Sequence, residues 1–135
     1  MTNETEKITV NLGVVELAQI DALTEQGIYS NRSDFIRTAI RKQLENHKKQ
    51  VEQLLIPIAT IKKWEKVIGI WTINKETLEE WVKEADEKLN ISVIGMLVLG
   101  KDITPQLFRL AVGRVLVRGK IVASTEIKEL IKEID

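Results

Sequence analysis

Three side chains near the start of the chain, Lys7, Thr9 and Asn11, occupy alternate positions and offer hydrogen-bond donors and acceptors with no carboxylate among them. Such a row suits the edges of base pairs, which display donors and acceptors in the major groove. A second candidate cluster is Asn31, Arg32 and Ser33, where a helix start leaves backbone N–H groups free beside a guanidinium. That is the chemistry of an anion site. The anion that a base-reading strand would bring is a backbone phosphate; the plainer alternative is that Asn31 only caps the helix. Enzyme chemistry finds little to work with. There is no cysteine and one histidine, His47, and neither a Gly-rich phosphate loop nor a nucleophile–base pair is present. Thiolate–imidazole metal sites lack their ligands, so neither a metal nor another cofactor is expected, and no catalytic residue is assigned.

Those clusters need elements to position them. Ile8, Val10 and Leu12 alternate with the three polar residues, the period of a strand with one buried face. A lone strand is not stable in water, and nothing in the first ~50 residues can pair with it. The same strand of a second subunit can. Pairing would bury the apolar face and display Lys7, Thr9 and Asn11 twice over on a two-stranded ribbon, an element that fits the major groove. An ordinary solvated edge strand is the alternative. Leu17, Ile20 and Leu23 then form the stripe of an amphipathic helix, which Gly27 should end through a left-handed residue. A second helix opens at Asn31, with Asp34 completing a capping-box-like pair. Its expected buried face is Phe35, Ile36, Ala39, Ile40 and Leu44, opposite Arg37, Arg41 and Lys42.

The run KITVNLGVVELAQIDALTEQGIYSNRSDFIRTAIRKQL resembles the ribbon-helix-helix DNA-binding domain of the CopG, Arc and MetJ type over residues 5–46. The match is carried by Ile20-Asp21-Ala22-Leu23, Gly27, Tyr29 and the stretch from Arg32 to Arg37; Gly13 stands where a proline commonly precedes the first helix. The resemblance implies an intertwined homodimer that binds double-stranded DNA. It assigns base contacts to Lys7, Thr9 and Asn11 and phosphate contacts to Asn31, Arg32 and Ser33. Metal-sensing relatives carry histidine and cysteine ligands in a C-terminal domain, and those residues are missing here.

Charge restrains the reading. The 20 basic residues are matched by 20 acidic ones. Residues 1–50 balance too: Lys7, Arg32, Arg37, Arg41, Lys42, Lys48 and Lys49 stand against Glu4, Glu6, Glu16, Asp21, Glu25, Asp34 and Glu45. Without a basic excess, specific contacts or paired dimers must carry the affinity. The absence of cysteine, of a signal-peptide pattern and of any apolar run near ~20 residues points to the cytoplasm and away from membranes.

The domains expected are 1–48 for DNA binding and dimerisation, a helical connector over 49–66, and 67–135. In the connector, Leu44, His47, Val51, Leu54, Ile58 and Ile61 form a short a/d seam that Pro57 should break; it would pair with its twin or pack on the C-terminal domain. Residues 67–73, 93–99 and 117–123 are each apolar with glycine third, at Gly69, Gly95 and Gly119. Each leads through a polar turn into a helix: Lys75 to Leu89, Thr104 to Ala111, Ser124 to Ile134. Glu76, Asp102 and Glu126 read as acids of the helix starts. The overall expectation is an α+β chain ending in about three solenoid-like strand–helix repeats with parallel strands, loosely like leucine-rich repeats. A compact α+β domain with chance similarity is the alternative. The glycines should share one level of the sheet, with the middle one, Gly95, least tolerant of bulk. Such a domain would serve oligomerisation, up to a tetramer, or bind a ligand or partner protein. Two functions follow: a DNA-binding transcriptional repressor, or an antitoxin that regulates its own expression with the same DNA-binding end. A DNA anchor in a structural or plasmid-partition protein is a third.

Overall fold

The computed structural model describes residues 5–55 and 63–134. The chain divides into two compact units, Met1–Lys48 and Lys49–Asp135.

In the first unit, α1 (Val14–Glu25) starts after Gly13, whose extended backbone stands at the cap position with no side chain to offer. Ile20 is buried at its centre, and Leu17 and Leu23 are half-buried. The helix ends as expected at Gly27, which takes φ 76°. Gly27 N–H donates to Thr24 O and Ile28 N–H to Leu23 O, the paired bonds of a Schellman stop. In α2 (Arg32–Asn46), the Asn31 side chain accepts from Asp34 N–H at 2.8 Å. The Asp34 carboxylate reaches one residue further back than a capping box requires and accepts from Ser30 N–H at 3.0 Å. Tyr29 packs edge-on against Phe35 with ring centroids 5.0 Å apart. Replacing Asn31 with alanine should cost about 1 kcal/mol of stability, because Asp34 N–H loses its acceptor; thermal unfolding will read it.

The expected face of α2 is not buried within one chain. Ile36, Ile40 and Leu44 are 41%, 50% and 59% exposed. The connector also differs from expectation. Helix α2 stops at Asn46, and α3 (Lys48–Gln53) follows, so the helix is interrupted at His47. His47 is therefore the C-cap of α2. Leu54 remains exposed while its neighbour Leu55, off the expected seam, is 6% exposed. The anticipated break at Pro57 lies outside the described residues, as do the seam positions Ile58 and Ile61.

The second unit contains three strand–helix repeats: β1 (Glu65–Ile73), α4 (Lys75–Glu84), β2 (Leu89–Leu99), α5 (Pro105–Ala111), β3 (Val112–Val122) and α6 (Thr125–Ile134). The strands form one parallel sheet in the order β1-β2-β3. Gly69 pairs with Gly95 and Gly95 with Gly119, the shared level read from the sequence. The strands are longer than the seven-residue matches: β1 begins inside the expected connector, and Leu89 opens β2 instead of ending α4. Each helix start is closed by the side chain of the residue just before it. Asn74, Thr104 and Ser124 accept from the N–H groups of Thr77, Leu107 and Ile127. Glu76 and Glu126 lie in first helical turns, as expected, but Asp102 precedes α5, whose first turn holds no acid.

The core lies between the sheet and the helices. Ile73, Leu78, Leu89, Ile91, Leu97 and Phe108 are almost wholly buried there, each stabilising the fold by roughly 1.5–3 kcal/mol. At the glycine level the backbones close in. Gly69, Gly95 and Gly119 take φ 131°, 137° and 134°. A Cβ on Gly95 would overlap the Gly69 carbonyl, and one on Gly119 the Gly95 carbonyl; a Cβ on Gly69 would meet nothing. The expected distinction between a constrained middle glycine and two tolerant outer ones is thus corrected. Each glycine points toward the strand before it, so Gly119 is as constrained as Gly95.

Candidate nucleic-acid interface

Residues 5–13 form neither helix nor sheet ladder within the single chain. Lys7, Thr9 and Asn11 are exposed, and so are the apolar residues between them, Ile8 at 77% and Val10 at 66%. Polar and apolar residues of the segment are thus both open to solvent in the single chain. Asn31, Arg32 and Ser33 come together at the opening of α2, on the surface. Asn31 spends its side-chain oxygen on Asp34 N–H. The N–H groups of Arg32 and Ser33 have no acceptor among the described residues, as befits the first turn of a helix.

Arg32 has a partner that the sequence reading did not assign. Its Nε donates to Asp21 Oδ1 at 2.8 Å and its Nη2 to Asp21 Oδ2 at 2.9 Å, a two-pronged pair tying α2 to α1. The hydrogen bonds from Arg32, with its charge, hold the Asp21 carboxyl below the usual carboxylate range, and the same bonds raise Arg32. One Nη2 N–H and both Nη1 N–H groups of the guanidinium are left for an outside anion. Spacing alone could not reveal a pair eleven residues apart across a turn, although Asp21 and Arg32 both fall in the stretch that carried the resemblance.

In the second unit, polar chemistry is structural. Asn90, 4% exposed, accepts from Arg114 N–H at 3.0 Å and donates to Lys63 O at 3.2 Å. Ser92 Oγ donates to Leu55 O at 2.9 Å. Clefts of about 290 and 420 Å³ beside the α4–β2 turn are lined by charged residues including Glu87 and Lys88. No group of three or more metal-ligating side chains occurs among the described residues. Nor is any helix among them long and apolar enough to cross a membrane.

An exposed segment of alternating polar and apolar residues, followed by a Gly27-stopped helix and an Asn31-capped helix, is the outline of a ribbon-helix-helix subunit, and a family match extends it. The match is to the Ribbon-Helix-Helix transcriptional regulator family and spans residues 3–128. The chain belongs to that family and is a transcriptional regulator by membership. Its match runs through the parallel sheet into α6, well past the 5–46 stretch in which the resemblance was legible. Regulators of this family bind DNA and dimerise. No curated protein matches the chain. No solved structure matches it either.

Proposed function

We propose that this protein is a sequence-specific DNA-binding repressor acting as a homodimer. The segments Lys7–Leu12 of two copies pair antiparallel, and the ribbon enters the major groove. Lys7, Thr9 and Asn11 contact bases. The first turn of α2, with Asn31, Arg32 and Ser33, holds a backbone phosphate on either side. The observation that carries this reading is the apolar surface left open in one chain: Ile8 and Val10 on the segment, Ile36 and Ile40 on α2. So much exposed apolar area on a unit of this size needs a cover, and the dimerising family supplies one. The domain boundaries follow: 1–48 for dimerisation and DNA, with the C-terminal unit for assembly, up to a tetramer. The antitoxin alternative has less support, since a toxin-binding tail would order on its partner, whereas residues 65–134 have a core of their own.

Alanine at Thr9 or Asn11 should cost ~1–3 kcal/mol on the cognate site and little on random DNA. Arg32→Ala should weaken both alike and flatten the salt dependence, with Asp21→Asn as the control for loss of the interhelical pair. Equal losses on cognate and random DNA for all three alanine variants would remove the ribbon from base reading.

A further inference from the structure

The opening of α2 is short of positive charge for a phosphate contact. Arg32, the cation of its first turn, is matched by two carboxylates. Asp21, on α1, takes the Nε–Nη2 edge of the guanidinium at 2.8 and 2.9 Å. Asp34 accepts from Ser30 N–H at 3.0 Å, in the turn just ahead of the helix. Asp21 stays ionised wherever DNA binding is measured, because the Arg32 bonds hold its carboxyl below the usual carboxylate range. Both partners lie at the surface, with 58% of the Arg32 side chain and 40% of the Asp21 side chain exposed. An ion pair this open contributes little to stability, so the fold does not depend on it. A guanidinium is a rigid fork with two edges that can grip an oxyanion through paired N–H groups. Asp21 occupies one edge, and the other, formed by Nη1 and the second Nη2 N–H, must point away from it.

We propose that Asp21 is a specificity-determining residue of the DNA interface: it cancels the charge of Arg32 toward duplex of any sequence and holds the free guanidinium edge ready for a phosphate that arrives in register. The inference rests on the assignment of Arg32 to a backbone phosphate above. Non-specific binding is driven by cation–phosphate pairs and by the counterions they release. A guanidinium already neutralised by a carboxylate adds little to that drive. In register, the ribbon fixes the duplex, and the phosphate meets the first-turn N–H groups of Arg32 and Ser33 together with an edge that is already oriented. A group held in its bound geometry loses less freedom on binding. Discrimination then comes from penalising the wrong complex as much as from favouring the right one. The balanced charge of residues 1–50 fits the same strategy.

The probes are two duplexes of equal length, one of mixed sequence and one recovered by selection on the full-length wild-type protein. Asp21→Asn should tighten binding to the mixed-sequence duplex at least threefold at low salt. It should also steepen the salt dependence, by up to the ~0.9 in slope that one phosphate contact gives. Binding to the selected duplex should rise less, so the ratio of the two affinities falls. Asp21→Ala, with the best helix former at a helical position, repeats the test should asparagine disturb the fold. Asp21→Glu keeps the charge and should stay near wild type. In an Arg32→Ala background, Asp21→Asn should have little effect on either duplex. Mixed-sequence binding that is unchanged or weaker in both Asp21→Asn and Asp21→Ala overturns the inference. An equal gain in the Arg32→Ala background overturns it too, since Asp21 would then act by repelling phosphates directly. If Arg32→Ala alone leaves both affinities at the wild-type level, the phosphate assignment itself fails and takes this inference with it.

Discussion

Gly95→Ala should destabilise the C-terminal unit by about 3 kcal/mol or more, and Gly119→Ala by a similar amount, far beyond the usual effect of one methyl group. Two terms act together. At φ 137° and 134° an L side chain is strained wherever it sits, at a cost of ~1–3 kcal/mol. The added carbon would also stand 2.9 Å from the carbonyl carbon of the preceding glycine, and nearer still to its oxygen. Backbone cannot rotate away as a side chain can, so the strands must separate at the level where the repeats meet. Gly69→Ala meets open space and should show the conformational term alone, roughly 1–2 kcal/mol. Denaturant unfolding of the three variants gives the comparison. Equal losses at all three positions would show that close approach between strands plays no part.

Val10→Asp should abolish both the folding of residues 1–48 and DNA binding. The single chain gives no reason for so large an effect. Val10 is 66% exposed there, and an exposed substitution normally changes stability by less than about 0.5 kcal/mol. In the proposed dimer the residue lies under the ribbon among apolar residues of both copies, where an unpaired carboxylate is strongly disfavoured. Sedimentation and circular dichroism of full-length protein distinguish the cases. A soluble, helical, dimeric Val10→Asp protein that binds DNA would place the Lys7–Leu12 segment outside the subunit interface. The wild-type transition of this unit should also move to higher temperature as protein concentration rises.

These two predictions mark where the sequence was informative and where it was not. Local signals read well. Gly27 needed a left-handed residue after a periodic helix, Asn31 had a cap's side chain, and glycine third in three apolar runs set the register of a parallel sheet before any pairing was known. Boundaries and long-range partners read less well. In the sequence, the first helix of the repeats runs on to Leu89, whereas in the structure α4 ends at Glu84 and Leu89 begins β2. The end of α2 at Asn46 has no local signal, since no proline or glycine marks it. Arg32 was assigned to phosphate without its pair to Asp21, because only the turn between α1 and α2 brings the two together. The direction of the glycine contacts was also hidden: a sequence shows that a Cβ is missing, not which strand it would have struck. Asn90 and Ser92, buried polar residues that hold Lys63 and Leu55 to the sheet, gave no signal in a run of apolar neighbours.

The claim on which the account depends is that a dimer of this chain reads DNA sequence through its N-terminal ribbon. Selection of bound fragments from a randomised duplex pool by the full-length protein tests it most directly. The account predicts enrichment of a site with two related halves, matching the twofold symmetry of the dimer, and loss of that enrichment on Asn11→Ala while residual salt-sensitive binding persists. A pool that gains no sequence preference over its starting composition, or one enriched identically by Asn11→Ala, would contradict it.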